Sequence, residues 1–121
     1  MNVEELREYC LELPFAKENM PFAKHEYAEL VTFTVAGKWF CLLDLQNKRI
    51  NVKCDPEVCL AMRDKYHGAF PAWHMNKTHW LGVMLDSDVP NPVIEELLHD
   101  AYCLIISKLP KRLRAQYDSE V

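Results

Sequence analysis

The sequence predicts an α+β fold: one domain over residues 1–121, in which an antiparallel sheet of about five strands carries N-terminal, middle and C-terminal helices packed on it. Three observations predict it. Two β-rich runs are separated only by Ala36-Gly37, too short for a crossover helix, so their strands are antiparallel. Helix-start signals fall at Asn2, at Asp55-Pro56-Glu57 and near Pro92. The resulting order is helix, three strands, helix, about two strands, helix, whereas a doubly wound parallel sheet would need a helix between each pair of strands.

The elements follow in turn. Asn2 is placed to cap a first helix, with Glu5 at its third position as in a capping box. Val3, Leu6, Cys10 and Leu13 form its apolar stripe, and Pro14 ends it. Residues 15–25 have no clean period and read as a loop. Glu26–Val35 and Lys38–Leu45 read as a hairpin, the second strand apolar on both faces as a central strand would be. After a turn at Gln46-Asn47-Lys48, Ile50, Val52 and Cys54 alternate with Arg49, Asn51 and Lys53, which predicts one buried and one wet face. Asp55 is expected to cap the middle helix, with Pro56 at its first position and Cys54 and Cys59 at the two positions of a hydrophobic staple. Gly68 is expected to end it with positive φ. Ala69–Trp73 reads as an edge strand or irregular segment. Thr78–Leu85 reads as a strand with His79, Leu81, Val83 and Leu85 on one face and Thr78, Trp80, Gly82 and Met84 on the other. Ile94, Leu97, Leu98, Ala101 and Ile105 form the stripe of a long helix from about Pro92 to Leu109, and Lys111–Tyr117 reads as a short further turn or helix.

Composition narrows the function. The net charge is −4 and the isoelectric point about 5.7, unlike a general polyanion binder. No apolar run approaches the roughly 18 residues of a membrane span, and MNVEELREYC lacks a signal peptide's apolar core, so a soluble cytoplasmic monomer is expected. The five cysteines form no CxxC pair and sit among apolar neighbours, which predicts reduced core thiols rather than a zinc site. With glycine only at 37, 68 and 82, no phosphate loop or GxGxxG exists, and GxSxG and HExxH are absent. Asp86-Ser87-Asp88 begins like a calcium loop, but Asn91 stands where glycine is needed, and it reads as a loop capping a helix. His74 and His79 flank a turn, His79 on the buried-looking face, and carry neither catalysis nor a metal in this reading. Asp44 reads as a turn former.

One surface remains. Arg49, Asn51 and Lys53 share a strand face, Trp80 lies on the polar-side face of the later strand, and Trp73, His74 and Lys77 precede it. Cations interleaved with aromatics suit nucleic acid, the former meeting phosphates and the latter stacking on bases. Lys108, Lys111, Arg112 and Arg114 form a second basic cluster at the end of the last long helix. The plainer reading makes these cations a solvated surface at a helix C-terminus.

Gly37-Lys38 before an apolar strand, Cys54-Asp55-Pro56-Glu57, His74-Met75-Asn76-Lys77-Thr78-His79-Trp80 and Lys108-Leu109-Pro110-Lys111-Arg112-Leu113-Arg114 together resemble the MmcQ/YjbR family, in order over nearly the whole chain. The resemblance implies a CyaY-like (frataxin-like) fold with helices on one face of the sheet. It also implies DNA binding through a double-wing arrangement, with no established enzymatic activity. The matching residues for binding are Lys77, His79 and Trp80 with Lys111, Arg112 and Arg114. The frataxin-like fold raises weak iron binding through an acidic ridge, here Glu5, Glu8 and Glu12. The expected function is non-enzymatic binding, with DNA as first partner through Arg49, Lys53, Lys77, Trp80, Lys108, Lys111, Arg112 and Arg114. A protein partner on the same face is the alternative, and no cofactor is expected.

Overall fold

The computed structural model describes residues 1–21 and 29–118. The elements are α1 (Val3–Glu12), β1 (Lys17–Asn19), β2 (Leu30–Val35), β3 (Lys38–Asp44), β4 (Arg49–Lys53), α2 (Pro56–Lys65), β5 (Ala69–Pro71), β6 (Trp80–Met84), α3 (Asn91–Ser107) and α4 (Lys111–Asp118). The strands form one antiparallel sheet in the order β1-β2-β3-β4-β6-β5, an α+β architecture. The sheet has six strands rather than about five. The extra one, β1, lies in the segment expected to be loop: three residues at an edge are too few to show a period. It is placed by pairing with β2 and by the Arg7 guanidinium, which reaches from α1 to both carboxylate oxygens of Glu18. The first part of the expected strand, residues 26–28, lies outside the described residues.

Chain-local chemistry sets the element ends. In α1 the Asn2 side chain accepts from the Glu5 N–H at 2.8 Å, while the Asn2 N–H donates to the Glu5 carboxylate at 3.1 Å, a complete capping box. The β2–β3 turn places Ala36 at φ 53° and Gly37 at φ 74°, the left-handed pair that a two-residue hairpin requires. Asp55 occupies the N-cap of α2, but its side chain makes no capping bond. Gly68 does not have positive φ, and α2 ends before it at Tyr66. Glycine stands there for space: a Cβ would lie 2.0 Å from Ser87 Oγ. Asp86-Ser87-Asp88 does not cap α3. The Asp88 carboxylate instead accepts the His67 and Gly68 N–H groups at 2.8 and 2.7 Å, fastening the loop to the end of α2.

Helices cover one face of the sheet. Register aligns Phe33, Cys41, Val52 and Leu81 in one row and Val31, Leu43, Ile50 and Val83 in the next. Both rows are buried against Leu6 and Cys10 of α1, Cys59 of α2 and Ile94, Leu98, Ala101, Tyr102 and Ile105 of α3. Each valine, leucine, isoleucine and phenylalanine among them contributes about 1.5–3 kcal/mol by leaving water. All five cysteines are free thiols. Among the described residues no helix is long and apolar enough to cross a membrane.

The second face is not the wet surface that the alternation of β4 predicts. Its central row, Thr32, Leu42, Asn51, Gly82 and Phe70, runs across five strands, and Thr32, Leu42 and Asn51 are buried. The Asn51 side chain clamps Trp73, donating to its carbonyl at 2.6 Å and accepting its N–H at 3.1 Å. Phe70 lies over Gly82, so near that a Cβ there would sit 2.3 Å from its ring. The segment between β5 and β6 thus folds back over the sheet.

Candidate nucleic-acid interface

The residues expected to bind divide between two places. Arg49 belongs to the clamped face. Its Nε lies 3.0 Å from Asp44 Oδ2, and its guanidinium sits 4.6 Å over the Trp73 ring. Asp44 also accepts the backbone and side-chain N–H groups of Asn47 at 3.1 and 2.8 Å, so it forms the turn as expected. Burial pushes the Asp44 carboxyl up, but the donors Asn47 and Arg49 together bring it below its ordinary value. An arginine held by a buried carboxylate and an aromatic ring is structural first, and offers little to an incoming phosphate. Lys77 and His79 are exposed in the loop before β6. His79 therefore does not lie on a buried face: the strand begins after it. His74, also exposed, has φ 53° and stacks edge-on to Trp73 at 4.5 Å.

Lys53 marks the second place. It closes β4 at the end of the sheet where Lys38 opens the antiparallel neighbour β3. Lys108, the C-cap of α3, arrives at the same end. Burial lowers the Lys53 ammonium from its ordinary value, and the charges of Lys108 and Lys38 lower it further. Its Nζ lies 5.5 Å from the centre of the Trp80 ring. Trp80 itself is 9% exposed, which corrects its expected role. It is a platform under a cation, and it has no open face on which a base could stack. Lys111 and Arg112 are exposed on the first turn of α4, which follows directly. Arg114 is half-buried, its guanidinium turned back to the Ser107 carbonyl at 3.5 Å.

Sequence reasoning missed Lys38 as a site residue. Its signals were the Gly37-Lys38 motif of the family resemblance and the hairpin, since the residue after Ala36-Gly37 must lie at the end of the sheet where β4 finishes. Among the described residues none of Lys38, Lys53 and Lys108 forms an ion pair.

A cleft of about 380 Å³ opens beside this basic end, between the start of α2 and the face of α3. Lys53, Cys54 and Asp55 form one side with Val58, and Leu97, Asp100, Leu104 and Ser107 the other. Cys54 is pushed up to about 12, by burial first and by neighbouring Cys59 second, as the staple arrangement implies. Burial and the Asp100 charge raise Cys103. Neither thiol is prepared for nucleophilic chemistry, which needs the thiolate. Among the described residues no group of three His, Cys, Asp or Glu side chains could hold a metal ion. Of Glu5, Glu8 and Glu12 on α1, Glu5 is committed to the capping box.

Residues 11–104 match the YjbR family. The chain is 32% identical over 111 residues to the uncharacterized protein YbdF of Escherichia coli O157:H7, spanning 90% of this chain and 88% of that one. It is 27% identical over 116 residues to the uncharacterized protein YjbR of Escherichia coli K12, spanning 94% and 95%. A crystal structure of a Deinococcus radiodurans protein, with a domain described as DUF419, superposes with a TM-score of 0.87 at 32% identity, over 97% of this chain and 88% of that one. A Pseudomonas syringae crystal structure gives 0.73 at 25% identity, over 86% and 98%.

Proposed function

This chain belongs to the YjbR family, and we propose that it acts by binding rather than by catalysis, with DNA as its partner and the basic end of the sheet as its contact surface. One observation carries the reading. Lys38, Lys53 and Lys108 come from three elements far apart in sequence, yet they converge closely enough for two of them to lower the third. Gathering like charges that form no ion pair among the described residues costs free energy, and a polyanion would supply opposite charge from outside. Lys111 and Arg112 extend the patch along the first turn of α4.

The chemistry of the patch sets the kind of readout. Lysines bind phosphates as point charges and carry no base information. Trp80 is buried and Arg49 is paired, so neither adds stacking or bidentate base recognition. The contact is accordingly to the phosphate backbone, and duplexes of different sequence bind alike. Fluorescence anisotropy with a labelled duplex tests the proposal. Lys53→Glu/Lys108→Glu is expected to weaken binding more than tenfold with the thermal melting curve retained, whereas Arg49→Lys changes affinity little. Undiminished affinity in the folded double variant would remove the basic end from the reading.

Exposed apolar groups favour a second reading, a protein partner. Phe15, 57% exposed, meets the Tyr117 ring edge-on at 5.3 Å, and exposed Leu113 lies one turn before Tyr117 on α4. Phe15→Ser leaving DNA affinity intact while abolishing a protein contact would favour it.

A further inference from the structure

We infer that Cys54 and Cys59 form a reversible oxidation site, two thiols placed to close an intramolecular disulfide at the start of α2 when the chain meets a hydroperoxide. The inference is independent of the nucleic-acid reading.

Helix geometry brings the pair together. With Asp55 at the N-cap of α2, Cys54 stands just before the cap and Cys59 one turn into the helix, the two positions whose side chains meet in a hydrophobic staple. Both are buried, Cys54 5% and Cys59 1% exposed, and the Cys54 thiol donates to the Cys59 sulfur. A second pair touches in the same way, Cys41 of β3 donating to Cys10 of α1. That pair is sealed in the core, whereas Cys54 borders the open cleft between α2 and α3, which gives a small oxidant a way in. Cys103 borders the same cleft and lies 3.8 Å from the His99 ring. In the first step the Cys54 thiolate attacks an oxygen of the hydroperoxide. An S–O bond forms, the O–O bond breaks, and the departing alkoxide takes the proton that the thiol gave up. The Cys59 thiolate then attacks the Cys54 sulfur. The S–S bond forms, the S–O bond breaks, and hydroxide leaves with the Cys59 proton as water. Two thiols lose two electrons, and one hydroperoxide becomes one alcohol and one water. Each attack needs a thiolate, and burial raises both thiols, Cys54 to about 12, so closure is slow. The charge of Arg63 eases the second attack. The product carries no ionisable group and fills the same apolar space, so the burial that slows closure favours the closed form.

Peptide mass spectrometry on the full chain after hydrogen peroxide tests this. Trypsin, cutting after Lys53 and Arg63, releases residues 54–63 with both thiols and no other cysteine. After denaturation and alkylation without reductant, that peptide is expected to take no alkyl group and to be lighter than the dithiol by two hydrogens. Dithiothreitol before alkylation should restore two alkyl groups. Cys10 and Cys41 should remain fully alkylated throughout. Cys103 reports that oxidant reached the cleft, since its own oxidation blocks its alkylation. Cys103→Ser should leave closure intact, which keeps the pair testable without it. Cys59→Ala, checked by thermal melting, should lose closure and leave Cys54 oxidised but unbridged. A peptide that still takes two alkyl groups once Cys103 has been oxidised would overturn the inference. So would a bridge from Cys54 to Cys103, or oxidation of Cys10 and Cys41 ahead of Cys54 and Cys59.

Discussion

Asn51 shows how one residue can be legible in type and hidden in role. The alternation of β4 puts it on the polar face, and the structure agrees, but it is 3% exposed and holds both backbone polar groups of Trp73. Period two reports which face a side chain takes, not what later segment lies on that face. Asn51→Ala should leave that N–H and C=O unpaired and lower stability by about 1–3 kcal/mol, read as a shift in the urea midpoint. Asp44 next to it predicts a pH effect. Its folded value lies below the ordinary 3.8, so the unfolded chain binds the proton more readily. The stabilisation is complete above the ordinary aspartate range and is lost as pH falls through the depressed folded value. Asp44→Asn should therefore flatten the acid limb of a stability-against-pH curve, and an unchanged limb would show that the Asn47 and Arg49 contacts contribute nothing. Arg49 and Trp80 follow the same lesson: each was recognisable as a cation or an aromatic on the outward face, and each is engaged by the protein itself.

Elements with a local chemical cause could be read directly. The capping box of α1, the proline start of α2, the two-residue β2–β3 turn and the apolar stripe of α3 are each written within a few consecutive residues. β1 has no such signature and exists because β2 offers it an edge and Glu18 answers Arg7. Gly68 misled for the same reason, since the need for glycine comes from Ser87, far along the chain. Sheet order then predicts dynamics. β3 and β4 are central and buried, while β1 and β5 are three-residue edges. Native-state hydrogen exchange should be slowest for amides such as Leu43 and Val52 and fastest for the edge strands, with protection differing by orders of magnitude. Equal protection in β1 and β3 would contradict the order. At the sheet's other end, Gly82→Ala should push Phe70 off β6 and cost about 1–3 kcal/mol in denaturant unfolding.

At the scale of the whole molecule, an acidic chain of net charge −4 gathers Lys38, Lys53 and Lys108 at one end of the sheet, with Lys111 and Arg112 following on α4. The second basic cluster was visible as Lys108, Lys111, Arg112 and Arg114, but its junction with Lys53 and Lys38 was not, because antiparallel pairing and the direction of α3 decide which distant lysines meet. Phosphate contact by such a patch has a thermodynamic signature independent of sequence. Each contacted phosphate adds about −0.9 to the slope of log affinity against log salt concentration. The measurement that bears most directly on the proposal is duplex affinity by anisotropy across a salt series, for the parent and for Lys111→Glu/Arg112→Glu. With three to five cations in contact the parent slope should be about −3 to −5, and the variant should be flatter by about one to two units on any duplex sequence. A folded parent that binds no duplex at low salt, or a slope that the variant leaves unchanged, would contradict it.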